Sequence, residues 1–340
     1  MLPLIVTFAV LGLPMHRAAP VPAPEPAPIQ VAAVGDMALA TSSDGGASLF
    51  RGVHAPLRGD VVLGNLEGTL ATGGSPKCAG GPGCYVFRAP PSYAFRLRAA
   101  GFTLLNVANN HALDYGAEGQ SETLAALRQA RLRWTGRPGQ IAYVDIGPTR
   151  VAVLGFAPYP WAQNLLDIAG AEALVHRARV HADVVIVTMH AGAEGHEHAH
   201  VRPGNEYYLG ENRGNVVAFA HAVVAAGADL VIGHGPHVLR GLEWYRGRLI
   251  AYSLGNFAGN GTLNTTGLGG VSCVLHVSVA RDGAFVAAQI VPIRLVPPGL
   301  PERDPTGAAR AILRTLSRED FGARGMAVRA DGTLVPPPAL

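Results

Sequence analysis

Charged residues are scarce in this chain, and positive charge is not clustered anywhere along it. Of the 340 residues only 15% are Asp, Glu, Lys or Arg, Lys77 is the only lysine, and no run of basic residues occurs. The formal net charge of +3 is too small to predict a nucleic-acid-binding surface, so we expect no nucleic-acid partner. Hydrophobic residues make up 49% of the chain, a composition that predicts a well-filled core and excludes general disorder.

Cysteine is rare as well, with Cys78, Cys84 and Cys273 as the three examples. The first two bracket the Gly/Pro-rich segment CAGGPGC, and in an oxidising compartment they are predicted to form a local disulfide. Because no further Cys or His partner accompanies this pair, it is a poor zinc site. Cys273 lies in the strand-like run Val271–Val279 and is predicted to be a small core residue.

The apolar run at the N-terminus is short for a transmembrane helix. Leu2–Leu13 spans about 12 residues, the size of the apolar part of a signal peptide, and small residues follow at Ala18 and Ala19. No Lys or Arg precedes the run, so a buried strand or helix of the core is the alternative. We interpret residues 1–19 as a signal peptide or short anchor and the Pro-rich residues 20–28 as a linker. The expected location is therefore the periplasm or the cell envelope, after export.

Strand-like and helix-like segments alternate from residue 29 to about residue 240, which is typical of βαβ units. Consecutive strand candidates follow, among them Arg248–Ser253, Gly270–Val279 and Phe285–Arg294, and these indicate a β-meander. The simplest architecture is an α/β fold with two sheets packed face to face and helices outside, a four-layer α/β/β/α sandwich over residues 29–296. Residues 297–340 are predicted to hold a C-terminal helix, near Pro301–Leu316, and a tail.

Five apolar runs end in polar residues of the types that bind metal ions. Runs rich in Val, Ile and Leu predict buried strands, and in open α/β sheets sites form at the carboxyl ends of strands. Carboxylate oxygen, amide oxygen and imidazole nitrogen suit divalent ions such as Zn, Mn and Fe. The clusters are Asp36 after Ile29–Val34, Asn65 and Glu67 after Val61–Gly64, Asn109, Asn110 and His111 after Phe102–Ala108, His190 after Val184–Met189, and His234 and His237 after Leu230–Gly233. We therefore predict that these side chains converge on one rim and hold a two-metal site.

Six strings of the sequence resemble, in order, a known protein family. They are GDM, GNLEGTL, NVANNHALDYG, VTMHAGAE, GADLVIGHGPHVLRG and IAYSLGNF. Over about residues 30–257 they are similar to the CapA-like capsule-synthesis proteins, the poly-γ-glutamate synthesis group of the calcineurin-like metallophosphoesterase superfamily. The resemblance implies the α/β/β/α metallophosphoesterase-like sandwich and a metal centre of two divalent ions, Mn, Zn or Fe.

The resemblance also implies a role for residues in these strings. The expected metal ligands are Asp36, Glu67, Asn110, His190, His234 and His237, and the expected general acid is His111. Beside these residues, and independently of the resemblance, we expect Asn65, Asn109, Tyr252 and Asn256 to bind substrate.

Three positions differ from the wider superfamily. Ala38 stands where a histidine is usual, Glu67 where an aspartate is usual, and His234-Gly-Pro-His237 where a His-x-His pair is usual. One metal position therefore loses a ligand. The alternatives are two loosely held ions, a single ion, or a substitute ligand such as Asn65.

The resemblance implies an exported protein of capsule or poly-γ-glutamate synthesis, and the ligand set indicates a metal-dependent hydrolase that acts on a phosphoester or a γ-glutamyl amide. The alternative is a non-catalytic accessory protein that binds an anionic polymer during capsule synthesis, export or anchoring. The full set of remaining ligands favours catalysis, whereas Ala38 favours the accessory protein. The expected partners are an anionic polymer or phosphoester substrate and a membrane-bound capsule-synthesis complex.

Overall fold

The computed structural model describes residues 2–6, 27–81 and 83–338. In these ranges two β-sheets pack against each other, and helices cover their outer faces. Among the helices of the described residues, none combines the length and the apolar character that a membrane span requires. The signal-peptide or anchor prediction for residues 1–19 and the linker prediction for residues 20–28 lie almost wholly outside the described residues.

Strands alternate with helices through much of the described chain. In chain order the strands are β1 (Ile29–Ala38), β2 (Val61–Leu66), β3 (Thr69–Leu70), β4 (Arg88–Ala89), β5 (Leu104–Asn106), β6 (Arg133–Thr135), β7 (Ala142–Ile146), β8 (Thr149–Phe156), β9 (Val184–His190), β10 (Glu206–Tyr208), β11 (Glu211–Gly214), β12 (Leu230–His234), β13 (Leu239–Tyr245), β14 (Arg248–Leu254), β15 (Asn256–Gly259), β16 (Val271–Val279), β17 (Phe285–Val296), β18 (Leu300–Arg303), β19 (Ala327–Val328) and β20 (Thr333–Val335). The α-helices are α1 (Tyr93–Ala100), α2 (Gly116–Gln129), α3 (Ile168–His181), α4 (Val216–Ala225) and α5 (Ala308–Phe321).

Local side chains explain where several helices begin and end. At the start of α3, Asp167 accepts a hydrogen bond from the Gly170 amide, and at the start of α4, Asn215 accepts one from the Ala218 amide, each at 3.0 Å. Such caps satisfy amide groups that have no partner within the helix. Helix α1 ends at Ala100 and is followed by Gly101, whose φ of 118° lies in the left-handed region that glycine tolerates.

The strand order brings the carboxyl ends of several parallel strands together. The ten-stranded sheet runs β19-β20-β17-β16-β1-β2-β5-β6, with β15 beside β1 and β18 beside β17, and the six-stranded sheet runs β13-β14-β12-β9-β8-β7. Strands β1, β2, β5 and β6 are parallel to one another, as are β8, β9, β12 and β14. Polar residues that follow parallel strands in neighbouring positions therefore meet at one edge of each sheet.

Three apolar layers hold the sandwich together. The layer between the sheets includes Val31, Ala33, Leu63 and Leu104 of one sheet and Val153, Ile186, Ile232 and Leu249 of the other. Helices α1 and α2 cover the outer face of the ten-stranded sheet, where the contacts include Tyr93, Leu97, Leu127, Ala32, Val34 and Leu105. Helices α3 and α4 cover the outer face of the six-stranded sheet, where the contacts include Leu174, Val175, Phe219, Leu154, Val187 and Val231. The predicted four-layer α/β/β/α sandwich is thus confirmed.

The last third of the chain departs from the prediction in two ways. The predicted meander is divided, because β14 belongs to the six-stranded sheet whereas β16 and β17 belong to the ten-stranded sheet. The predicted helix near Pro301–Leu316 begins later, at Ala308, since β18 first pairs with β17 and Gly307 precedes the helix in the left-handed region. Residues beyond 297 also contribute β19 and β20 to the larger sheet, so this part of the chain is more than a helix and a tail.

The cysteines have the arrangement that the sequence predicts. Cys78 and Cys84 form a disulfide, and Cys273 is free and buried in β16, where burial raises the pKa of its thiol to about 12. In protein isolated under oxidising conditions, we expect alkylation without reductant to label one thiol after denaturation and none before it, because a buried thiol of high pKa is unreactive. Intact-mass analysis checks this, and labelling of three thiols in the unreduced protein would contradict it.

Candidate metal centre

The candidate site lies where β1 and β2 of the larger sheet approach β9 and β12 of the smaller one. Asp36, near the end of β1, lies in register with Asn65 at the end of β2. His190 and His234 are register partners at the ends of β9 and β12. The strand ends therefore bring one carboxylate and two imidazoles together, as the sequence pattern predicts.

Oxygen and nitrogen atoms of the predicted ligands lie close together at this point. Ligand atoms of Asp36, Glu67 and His190 are all within 4.8 Å of one another, and all three side chains are buried. His234 Nδ1 is 3.8 Å from Asp36 Oδ1. His237 lies between the two carboxylates, with Nδ1 3.3 Å from Asp36 Oδ2 and Nε2 3.4 Å from Glu67 Oε1. These distances bring Asp36, Glu67, His190, His234 and His237 together around one point, and the assignment of Asn110 as a ligand stays a prediction.

Glycine before Asp36 is required by a close approach of the backbone. A Cβ atom on Gly35 would lie 1.8 Å from the carbonyl oxygen of Gly255, and the Asp36 amide donates to that same oxygen at 2.8 Å. The Gly235 amide in turn donates to Asp36 Oδ2 at 3.1 Å. These contacts fix the Asp36 carboxylate at the bottom of the site.

Several of the ligand atoms have no hydrogen-bond partner among the described residues. They are Glu67 Oε1 and Oε2, His190 Nε2, both ring nitrogens of His234, and Asn110 Oδ1, and all are buried. An unpaired buried polar atom costs about 1–3 kcal/mol. A divalent cation would satisfy these lone pairs, and a set of carboxylate oxygens and imidazole nitrogens suits Zn, Mn or Fe. The residues present therefore fit a metal centre, while the assignment of each ligand stays a prediction.

The buried histidines are poised in the form that binds metal. Burial lowers the pKa of His190 well below its usual value, although Asp36 opposes the shift. Burial likewise lowers the pKa of His234, to about 4, against the same opposing charge. At neutral pH both imidazoles are uncharged, and an uncharged imidazole has the free lone pair that a metal ion needs.

His237 lies between two buried carboxylates, and burial raises the pKa of one of them, Glu67, although the charge of His237 opposes the shift. Burial alone would raise the pKa of Asp36, but its hydrogen bond with His237 and the charge of that imidazole lower it overall. For His237, burial alone would lower the pKa, yet the Glu67 charge and the contacts with both carboxylates raise it well above the usual value. His237 thus lies between two carboxylates that favour its protonated form.

His111 is placed beside this cluster without belonging to it. Its Nε2 is 4.0 Å from Glu67 Oε1, and its Nδ1 is 2.8 Å from Asp114 Oδ2. The His111 amide donates to Asn109 Oδ1 at 3.0 Å, and the Phe87 ring packs against the imidazole with centroids 4.3 Å apart. One ring nitrogen is therefore fixed by a carboxylate while the other faces the metal-ligand cluster.

A cleft of about 450 Å³ gives access to the site. Of the predicted residues, Asn110, His111, His237 and Asn256 line it. Asn256 Oδ1 accepts a hydrogen bond from His237 Nδ1 at 2.9 Å, so it orients that imidazole. The remaining walls carry aromatic and charged side chains, among them Tyr85, Phe87, Tyr159, Trp161, Tyr208, Lys77, Glu194 and Arg213.

Asn65 and Asn109 lie beneath the predicted ligands and do not line the cleft. Asn65 Nδ2 donates to Asp36 Oδ1 at 2.8 Å and lies 3.1 Å from His190 Nδ1. Its Oδ1 accepts from Asn109 Nδ2 at 3.2 Å and from Asn106 Nδ2 at 3.0 Å. Both predicted substrate-binding residues are fully buried, and their contacts indicate a supporting position, in which Asn65 holds Asp36 and Asn109 holds Asn65.

The prediction that Tyr252 binds substrate is wrong in this structure. Its hydroxyl donates to Glu243 Oε2 at 2.7 Å, and its ring stacks on Phe321, the last residue of α5, in the apolar layer that α3 and α4 cover, away from the cleft. The cause is side-chain alternation along β14, which turns Tyr252 toward the outer face of the sheet.

Tyr252→Phe is accordingly expected to lower the free energy of unfolding by about 1.5–3 kcal/mol, the usual value of a hydrogen bond to a charged group. Metal content and any hydrolytic rate should stay at the parent values. Denaturant titration with parallel elemental analysis measures both. A variant that keeps the parent's stability but loses activity would show that Tyr252 takes part in the functional site.

Two residues of the cleft were missed by reading the sequence. Glu194 has Oε2 3.8 Å from His237 Nε2, and Lys77 has Nζ 2.7 Å from Asp114 Oδ1. A signal existed for each, since Glu194 closes the string that contains His190 and Lys77 is the only lysine. Ala38, where the resemblance leads one to expect a histidine, is buried and offers only its carbonyl, which accepts from Thr262 Oγ1.

Comparison with known sequences relates the chain to capsule-synthesis proteins. Residues 30–261 match the family model described as bacterial capsule synthesis protein PGA_cap. The PGA biosynthesis protein CapA of Bacillus subtilis is 33% identical over 178 residues, a match that covers 47% of this chain and 43% of that protein. The chain thus matches less than half the length of this relative. A Mycobacterium tuberculosis protein named "Probable polyglutamine synthesis accessory protein" is 29% identical over 320 residues, covering 82% of this chain and 78% of that one.

Comparison with solved structures supports the fold. The crystal structure of a Mycoplasma pneumoniae protein described as a novel phosphatase aligns with a TM-score of 0.50, covering 82% of this chain and 95% of that chain. Sequence identity in the alignment is 13%, so the likeness concerns the fold alone. It agrees with the four-layer α/β/β/α sandwich described above.

Proposed function

Because the chain belongs to the bacterial capsule synthesis protein family PGA_cap, we propose that it is a metal-dependent hydrolase of capsule or cell-envelope polymer metabolism. Its substrate is proposed to be a phosphoester. The observation that carries this proposal is the group of buried, unpaired ligand atoms of Glu67, His190 and His234 beside His111.

The proposed role of the metal ligands is to hold a divalent ion, and it differs from the proposed role of His111. A divalent ion held by Asp36, Glu67, His190, His234 and His237 would act as a Lewis acid and lower the pKa of a coordinated water. Asn65 holds Asp36 and Asn256 holds His237, so the ligand side chains stay aligned while substrate enters. Supporting hydrogen bonds of this kind are a usual requirement for a functional metal site.

His111 is proposed to donate a proton to the leaving group. Asp114 holds Nδ1, and the free Nε2 faces the metal-ligand cluster. For this step the ring carries a proton on each nitrogen: as the bond to the leaving-group oxygen breaks, Nε2 gives its proton to that oxygen, Nδ1 keeps its proton toward Asp114, and water supplies the hydroxyl that remains on phosphorus. An imidazole is suited to this role because it gains and loses a proton near neutral pH.

A γ-glutamyl amide is the second candidate substrate, and the observation that favours it lies in the names of the relatives. The Bacillus subtilis relative is named for PGA biosynthesis and the Mycobacterium tuberculosis relative for polyglutamine synthesis. His111 would then protonate a leaving nitrogen in place of an oxygen. Export, a place in the cell envelope and association with a membrane-bound capsule-synthesis complex complete the proposal.

The proposal is tested by measuring metal content and turnover on the same preparation. Elemental analysis gives the metal-to-protein ratio, and nitrophenyl phosphate, bis-nitrophenyl phosphate and γ-glutamyl nitroanilide report the two substrate classes. Hydrolysis that depends on added Mn, Zn or Fe and disappears with chelator is the expected result. Tight metal binding without hydrolysis of any probe would contradict the enzyme proposal and favour an accessory protein that binds an anionic polymer, in keeping with the missing ligand at Ala38.

A further inference from the structure

The buried carboxylate of Asp114 connects His111 to a segment whose ends are joined by a disulfide. Asp114 is fully buried, and its Oδ2 lies 2.8 Å from His111 Nδ1 and accepts from the Phe87 amide at 2.6 Å. Its Oδ1 lies 2.7 Å from Lys77 Nζ. The orientation of the His111 ring therefore depends on Asp114, and that of Asp114 depends on Lys77 and Phe87.

Lys77 and Phe87 stand on either side of the Cys78–Cys84 disulfide. The Lys77 amide also donates to the Asp114 carbonyl at 2.8 Å. Lys77 therefore contacts Asp114 through both its backbone and its side chain. Between the cysteines, Gly80, Gly81 and Gly83 all have positive φ, and the described residues there form no helix or strand. Such a glycine-rich segment has many alternative conformations, and a cross-link restricts them.

The ammonium group of Lys77 is held at the catalytic side of the cleft. Besides Asp114, its Nζ lies 3.3 Å from the Asn110 carbonyl and 3.4 Å from His111 Nδ1, and the side chain is 36% exposed. A buried carboxylate is costly unless it is paired with a cation and hydrogen-bonded. Lys77 supplies that cation, which leaves the other carboxylate oxygen free to accept from Nδ1 and Phe87.

We infer that Lys77 and the Cys78–Cys84 disulfide are positioning elements for His111: the disulfide keeps Lys77 and Phe87 on Asp114, and Asp114 keeps the imidazole turned so that Nε2 faces the metal-ligand cluster. The kinetic consequence rests on the proposed function of His111 as the proton donor. The expected change in the orientation of the His111 ring does not depend on that proposed function. We therefore expect loss of the disulfide, which lies at the rim of the cleft, to change the orientation of His111.

The first test reads the ring position without any substrate. In protein with ¹⁵N-labelled histidine, the His111 ring signals, assigned by their loss in His111→Gln, should report a proton on Nδ1. Lys77→Met and the double variant Cys78→Ser/Cys84→Ser should shift these signals toward a mixture of the two tautomers, and Lys77→Arg should restore the parent pattern. Arg294→Met, which breaks an exposed pair with Glu302, is the matched control and should change nothing. Parent-like ring signals in both Lys77→Met and the double variant would overturn the inference.

The second test separates positioning from substrate binding. With a hydrolysed probe, Lys77→Met should lower kcat by ~10–100-fold, the usual effect of removing a group that orients a site residue, with KM and metal content unchanged. Reductant should lower kcat of the parent by a similar factor but add little to the effect of Lys77→Met, since both changes act through Asp114. A raised KM at unchanged kcat would make Lys77 a substrate anchor and overturn the inference. If the parent hydrolyses no probe, the proposed function fails. The ring signals then still test the inference that Lys77 and the disulfide position His111.

Discussion

Replacement of His111 by alanine is expected to lower kcat for hydrolysis by ~10²–10⁴-fold, the usual range for general acid–base catalysis. The metal-to-protein ratio is expected to stay at the parent value. The reason is that Nε2 lies 4.0 Å from Glu67 Oε1, while Nδ1 is already engaged by Asp114. In the proposed mechanism His111 exchanges a proton with substrate, and the cation is held by the other residues. Steady-state kinetics with elemental analysis of the same sample measures both quantities.

The matched control for this variant is His181→Ala. His181 is the last residue of α3 and is exposed, so its loss should leave kcat and metal content unchanged. A His111→Ala protein that loses metal in proportion to activity would make His111 a ligand. A protein with full activity and full metal content would remove it from the mechanism.

Much of the candidate site could be predicted because its residues follow buried parallel strands. Such strands appear as continuous apolar runs, and the polar residue after each run marks a carboxyl end. Asp36, His190 and His234 were found in this way, and register pairing of His190 with His234 brings them together. The layers of the fold followed from the same alternation of strands and helices.

Other features depend on contacts that have no local signal. Tyr252 and Asn256 occur in one short string, yet their side chains lie in different places. Tyr252 faces outward from β14. Gly255, with φ of 69°, changes the direction of the chain before β15, so that Asn256 contacts His237. Lys77 reaches His111 only through Asp114 and a disulfide-closed segment. Strands β19 and β20 are two and three residues long, too short for alternation to distinguish them from a loop.

His234→Ala is the variant expected to have the largest effect on metal binding. His234 ends β12, is fully buried, and lies with Nδ1 3.8 Å from Asp36 Oδ1, while neither of its ring nitrogens has a hydrogen-bond partner among the described residues. Removing it opens the ligand set. We expect metal affinity to fall by more than ~100-fold, the upper end of what changes to merely supporting residues cause. The metal-to-protein ratio of the purified variant should fall with it.

The same variant separates loss of metal from loss of fold. A ligand that binds only the folded state raises the melting temperature, so added Mn, Zn or Fe should stabilise the parent and stabilise His234→Ala much less. His276→Ala is the matched control, because His276 is a partly buried strand residue of β16 that takes no part in the cluster. It should keep the parent's response to metal. Full metal content in His234→Ala would show that His234 is not a metal ligand. The proposed centre would then consist of the remaining residues, without the histidine at the end of β12.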